Sequence, residues 1–245
     1  MAWVVALWLG AAAISADPLI SLVAVPCVNL SQYHGHLLER RAAAAVAAAA
    51  PAPWAPVDPA VVQRTLTEMG APWPLGTAEI QRLCNRLPAA MAITGAVSTA
   101  ESDGSAARVV LHLELIEPLS GELVGRVQAE GKAKSKDPQP RDALLDEALQ
   151  AAAQAAFKQL GRAPWVLGQV AEATAADTVT LTLAAGAKPP AQAMVLLMEA
   201  SGAIPVAAVG VVEEVKGGTA RVRILGRRQE GLGGGEVAVC VGRLP

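Results

Sequence analysis

Arg108-Val109-Val110-Leu111-His112-Leu113-Glu114-Leu115 is the stretch that decides the fold. Its polar residues fall at 108, 112 and 114, close to the period of two that turns alternate side chains to opposite faces of a strand. Two more segments of strand character flank it, Ala89 to Thr99 and Glu122 to Ala133. The links between them are Ser102-Asp103-Gly104-Ser105 and Pro118-Leu119-Ser120-Gly121, which carry the residue types that hairpin turns require. The sequence therefore predicts a three-stranded antiparallel meander over roughly 89–133.

Helical periodicity follows the meander. Leu144, Leu145, Leu149, Ala152, Ala153, Ala156 and Leu160 form an apolar stripe over Arg141 to Leu160, with Gly161 as a C-terminal stop. Upstream, Leu19 to Val28 is a near-continuous run rich in Val and Leu, expected of a strand buried on both faces. Ser31 to Ala50 is expected to be helical, because it leads into an alanine tract, and Pro51 and Pro53 stop it. Trp54 to Val57 is extended. Asp58-Pro59 then reads as an N-cap with proline at the first helical position, opening a helix that ends at Gly70. Thr77 is expected to cap a further helix over Ala78 to Leu87.

From Pro164 onward the pattern contains only short strand candidates. These are Trp165 to Ala173, Thr178 to Leu183, Ala193 to Glu199, Val206 to Lys216, Thr219 to Leu225 and Glu236 to Val241. Glycine-bearing turns separate most of them, as in a small barrel or sandwich. The expected fold class is α+β: a mixed α/β domain of order β-α-β-α-α-β-β-β-α over 17–161, then an all-β small barrel over 164–245.

Composition narrows the function. The 245 residues are 53% hydrophobic, 3% aromatic and 17% charged, with a formal net charge of −2. An apolar-poor disordered chain is excluded, and near-neutrality supplies no general attraction to nucleic acid. No apolar run of about 20 residues follows the first fifteen, which argues against a multi-span membrane protein. The run Ala2 to Ile14, followed by small residues and Asp17-Pro18, has the length of a secretory h-region. Residues 1–16 are read as an export signal, although the n-region lacks Lys and Arg. A cytoplasmic domain with a buried first element is the alternative.

Cys27, Cys84 and Cys240 lie in apolar contexts without CxxC spacing, so they read as buried inert thiols. Pro26 directly before Cys27 argues against lipidation there. His34, His36 and His112 have no acidic cluster to complete a metal site, and no Gly-x-Ser-x-Gly elbow is present. Gly231-Leu232-Gly233-Gly234-Gly235 precedes a strand rather than a helix and reads as a loop, not a phosphate cradle. Glu213 and Glu214 are expected on opposite faces of a strand, solvated. No catalytic, cofactor or metal residue is predicted.

The one basic concentration is Lys216, Arg221, Arg223, Arg227 and Arg228. It is read as an interaction face on the barrel, for an acidic partner or another polymer, and the alternative function is a cytoplasmic nucleic-acid or ligand-binding module that uses Arg221, Arg223, Arg227 and Arg228. The barrel segment from 166 onward lacks Phe, Tyr and Trp, the stacking platforms of single-strand binders, which disfavours nucleic acid.

Leu22-Val23-Ala24-Val25-Pro26-Cys27-Val28-Asn29-Leu30-Ser31 resembles the strand that opens envelope domains of the CsgG and TolB N-terminal type. Val57-Asp58-Pro59, Ala90 to Val97, Leu113 to Val124 and the alanine-rich helix around Ala148 to Phe157 match further family segments in order. The resemblance covers about residues 20 to 160. The segment after it looks like the small barrel of FlgT, with Glu236-Val237-Ala238-Val239 in the place of its last strand. The short turns at 102–105 and 118–121 depart from the long membrane hairpins of the CsgG channel. The resemblance implies a periplasmic scaffold, assembly or transport-accessory component, not an enzyme. Its partners would be envelope proteins or further copies of itself, with no small-molecule substrate and at most peripheral membrane association.

Overall fold

The computed structural model describes residues 19–33, 37–160, 164–175, 177–199, 206–228, 232 and 234–243. The export-signal reading, His34, His36 and Gly161 fall outside them.

The first sheet is built from β1 (Ile20–Ala24), β2 (Val28–Asn29), β3 (Trp54–Pro56), β4 (Met91–Ser102), β5 (Ala106–Glu117) and β6 (Glu122–Lys134). Its order is β3-β1-β4-β5-β6, with β2 paired to β4 beside the main path. β1 runs parallel to β3 and β4, while β4, β5 and β6 form the antiparallel meander that the alternation at 108–115 predicts. Helices cover both faces of the sheet. α1 (Leu38–Ala49) and α4 (Arg141–Gln159) bury Ala42, Val46, Leu145 and Leu149 against Ile93, Leu111 and Leu113. α2 (Pro59–Met69) and α3 (Thr77–Arg86) close Val62, Leu66, Ile80 and Leu83 over Val23, Val25 and Ala92 on the other face.

Three boundaries differ from the sequence reading, each for a local reason. The expected strand over Leu19 to Val28 divides into β1 and β2, because Pro26 has no N–H to donate to a ladder. The expected helix from Ser31 begins only at Leu38. Asn29 accounts for part of the delay: its carboxamide accepts from Ser31 N–H (3.0 Å) and donates to Tyr33 C=O (2.8 Å). Such local bonds hold the chain in a turn instead of a helix. At α3 the cap is Gly76, not Thr77. The Glu79 carboxylate accepts the Gly76 N–H at 3.1 Å, so Thr77 is already helical. Asp58 caps α2 as expected, accepting the Ala60 N–H at 2.8 Å.

β7 (Trp165–Ala175), β8 (Thr178–Leu183), β9 (Ala193–Met198), β10 (Val206–Lys216), β11 (Thr219–Arg227) and β12 (Val237–Arg243) form a closed barrel in the order β10-β11-β8-β7-β12-β9. Leu167, Val179, Leu181, Val195, Leu197 and Val222 fill its interior. β9 is buried along all six residues, which explains its unbroken apolar sequence. Val195 and Leu197 point into the barrel, whereas Met194, Leu196 and Met198 join the apolar cluster that contains Val124 and Phe157. That cluster runs without a break from the sheet and α4 onto the barrel wall. The protein is α+β.

Candidate interaction surfaces

The basic concentration takes its geometry from the β10–β11 hairpin. Gly217 (φ 54°) and Gly218 (φ 85°) supply the two left-handed positions of a tight turn. The turn fixes Lys216 opposite Thr219 and Glu214 opposite Arg221. Ala220, Val222 and Ile224 enter the barrel core, so Arg221 and Arg223 share the outer face. A register shift between Val212 and Glu214 brings the Glu213 carboxylate between both guanidiniums, 3.3 Å from Arg221 Nε and 3.1 Å from Arg223 Nε. Lys216 pairs with Glu214. Exposed pairs of this kind contribute about 0–1 kcal/mol each, so they order the face more than they stabilise the fold. Arg227 stands opposite Ala208.

Arg228 leaves this group. Its backbone N–H reaches Ala207 C=O at 2.9 Å, and its guanidinium Nη2 points to Ala89 C=O at 3.4 Å, at the end of the α/β layer. Its Nε is buried without a hydrogen-bond partner. The structure therefore gathers Lys216, Arg221 and Arg223 around two glutamates and turns Arg228 toward the sheet. The sequence reading expects Glu213 and Glu214 only as solvated carboxylates, and the register shift that aims Glu213 at both guanidiniums leaves no mark in the alternation. The destination of Arg228 depends on how the barrel docks, which no local pattern encodes.

Beside Arg228, Glu117 is 1% exposed at the end of β5. Its carboxylate accepts Leu119 N–H at 2.8 Å, and Ser120 N–H and O–H at 2.7 Å each. Burial raises its pKa above the ordinary carboxyl value, against the lowering influence of those donors and of Arg228. A raised folded-state pKa means that Glu117 contributes most below its unfolded pKa of about 4.3 and loses that contribution as pH rises through the folded value. Glu117→Gln removes this titration. Urea midpoints of wild type and variant should diverge between pH 4 and pH 8, with wild type losing ground at the higher pH.

Asp103 behaves in the opposite sense. Its carboxylate accepts Ala106 N–H, Ser105 N–H and Ser105 O–H, all at 2.8 Å, which lowers its pKa to about 2.

The meander leaves part of its second face uncovered, lined by a ladder of charges. Arg126 Nη2 lies 2.6 Å from Glu114, and Glu130 accepts from both Arg108 Nε (2.8 Å) and Lys132 Nζ (2.9 Å). His112 Nε2 meets Ser98 Oγ at 2.9 Å on the same face. Elsewhere, a groove of about 390 Å³ between α1, α2 and the 71–76 loop is lined by Leu37, Leu66, Leu75 and the 49% exposed Trp73. Among the described residues no three His, Cys, Asp or Glu side chains stand close enough to hold a metal ion. No helix among them is long and apolar enough to cross a membrane.

Cys27, Cys84 and Cys240 are buried and form no disulfide, and burial pushes the thiols of Cys27 and Cys84 up to about 12. A thiolate is the reactive form. Intact-mass measurement after brief iodoacetamide treatment should show no adduct on the native chain and three on the chain in guanidinium. An adduct on the native chain would contradict this packing.

No protein-family model and no curated protein sequence matches the chain. Solved structures similar to it include the lipoprotein GNA1162 from Neisseria meningitidis, at 18% identity and TM-score 0.39, over 51% of this chain and 90% of that one. Another is the PelC dodecamer from Paraburkholderia phytofirmans, at 12% identity and TM-score 0.36, over 56% and 84%. A third is the LpoB C-terminal domain from Escherichia coli, at 16% identity and TM-score 0.35, over 50% and 87%.

Proposed function

We propose that this chain is an exported, non-catalytic cell-envelope protein that acts through protein contacts, as a scaffold, assembly or transport-accessory component of the CsgG/TolB type carrying a FlgT-like barrel. The observation that supports export is how β1 is held. β1 starts at Ile20 and is bordered by β3 on one side and β4 on the other. Its pairing is complete with residues from Ile20 onward. Cleavage between Ser15 and Pro18 would thus remove the apolar run Ala2 to Ile14 and leave every described element in place. A contact role is supported by the exposed charged face of the meander and the paired basic face of the barrel.

Cell fractionation with N-terminal sequencing tests the reading. The expected result is a mature chain beginning near Ser15 to Pro18 in the envelope fraction. An intact Met1 in the cytoplasm would overturn it.

A further inference from the structure

After β1 the chain passes to α1 on one face of the first sheet, and after the neighbouring β3 it passes to α2 on the other. The two helices therefore part beyond the carboxyl end of β1, and crevices at such points are where open α/β sheets take ligands. The groove of about 390 Å³ lies there. Pro26, two residues past β1, lines it, together with the first turn of α1, residues of α2 and the loop that carries Trp73. Its volume falls within the roughly 300–1,000 Å³ of small-ligand pockets.

The lining is of two kinds. Only five large apolar side chains are exposed among the described residues, and two of them, Leu37 and Trp73, are in this groove. Leu66 and Leu75 extend the apolar wall. Glu39, Arg40 and Gln63 line the groove as well, and none of their side chains makes a hydrogen bond or ion pair with a described residue. Arg41, one residue further along α1, is by contrast held by Asp142 and Asp146. A carboxylate, a guanidinium and a carboxamide thus share the groove with an open indole, and their hydrogen-bonding capacity is unused.

That combination decides what fits. An acyl chain or a wholly apolar segment would cover the indole, but it would strip water from Glu39, Arg40 and Gln63 without replacing the lost hydrogen bonds. An anion would gain little, because the charge of Glu39 offsets that of Arg40. A pyranose ring presents both surfaces at once. Its C–H face can lie on the indole, while its hydroxyls donate to Glu39 and Gln63 and accept from Arg40 and Gln63. We infer that the groove between α1, α2 and the 71–76 loop binds a neutral saccharide, with Trp73 as its platform and Glu39, Arg40 and Gln63 as its hydroxyl partners. The groove is separate from the barrel and from both charged faces. It adds a saccharide to the protein contacts proposed above, and an empty groove would leave the export reading standing.

The test is calorimetric titration of the purified full chain with cellotetraose and with chitotetraose. At least one should bind saturably, with millimolar or tighter affinity. Trp73→Ala should weaken that binding by about tenfold or more, and Trp73→Phe, which keeps an aromatic face, should weaken it less. Glu39→Ala combined with Gln63→Ala should also weaken it by about tenfold, because the platform stays while the hydroxyl partners go. Trp73 is 49% exposed, so the urea midpoint of Trp73→Ala should match that of the wild type, which separates lost binding from lost fold. No binding of either saccharide at millimolar concentration, or equal binding by Trp73→Ala, would overturn the inference. Octanoate binding more tightly than both saccharides would overturn it as well, since it would make the groove a seat for an apolar tail.

Discussion

Gly131→Val is expected to prevent the α/β layer from packing. At Gly131 the backbone of β6 passes directly beneath α4. A Cβ built there would lie 2.0 Å from Ala148 C=O oxygen and 2.3 Å from Ala152 N. Those atoms belong to the helix backbone, so no rotamer change relieves the collision, and α4 must lift from the sheet. Lifting it uncovers Leu144, Leu145, Ala148, Leu149 and Ala152, all fully buried. Overpacking a well-filled core costs about 1–3 kcal/mol where side chains can give, and more where they cannot. We expect a loss of about 3 kcal/mol or more, a large part of the roughly 5–15 kcal/mol that a domain holds. Gly125→Ala in the same strand is the control. Its Cβ would meet only the movable Leu160 Cδ2, at 3.2 Å, so its cost should be far smaller. Urea denaturation of the two variants measures the difference, and equal midpoints would contradict the close approach.

What the sequence made legible follows from the range of the interactions involved. The meander, α4 and the six barrel strands are each specified by their own alternation, stripe or turn glycines, and they appear where those patterns place them. The misjudged boundaries, at Pro26, Ser31 and Thr77, turn on single side chains competing for backbone groups. Asn29 and Glu79 each decide a boundary through one or two hydrogen bonds, which a periodicity read over a dozen residues does not register. The candidate surfaces divide the same way. Glu213 and Glu214 read from the sequence only as solvated carboxylates, and their pairing with Arg221, Arg223 and Lys216 comes from a local register shift in the hairpin, whereas the burial of Glu117 and the turning inward of Arg228 come from docking between elements over a hundred residues apart. The open edge at β6 is likewise a property of strand order, since nothing in the alternation of β6 says whether it has one neighbour or two.

Leu196→Asp is expected to split the unfolding of the chain into two transitions. Leu196 is fully buried, yet it points away from the barrel interior, because Val195 and Leu197 already fill that side. It lies with Met194, Val209, Val239 and Val241 in the cluster shared with Val124, Phe157 and the sheet. In the wild type this continuous core should make the α/β layer and the barrel unfold together, as one cooperative event. A carboxylate at position 196 has no cation to pair with in that apolar contact, and leaving a charge buried and unpaired costs roughly 3 kcal/mol or more. The chain can escape that cost by releasing the barrel wall into water without opening the barrel interior. The α/β layer would then expose Val124 and its neighbours, and the barrel would keep the core built on Leu167, Leu181, Val195 and Val222. Calorimetry should therefore show one transition for the wild type and two for the variant, with dye binding to newly exposed apolar surface before the second. A single transition that merely shifts to lower temperature would mean that the two parts stay joined through other contacts, with Arg228 at Ala89 the first to examine.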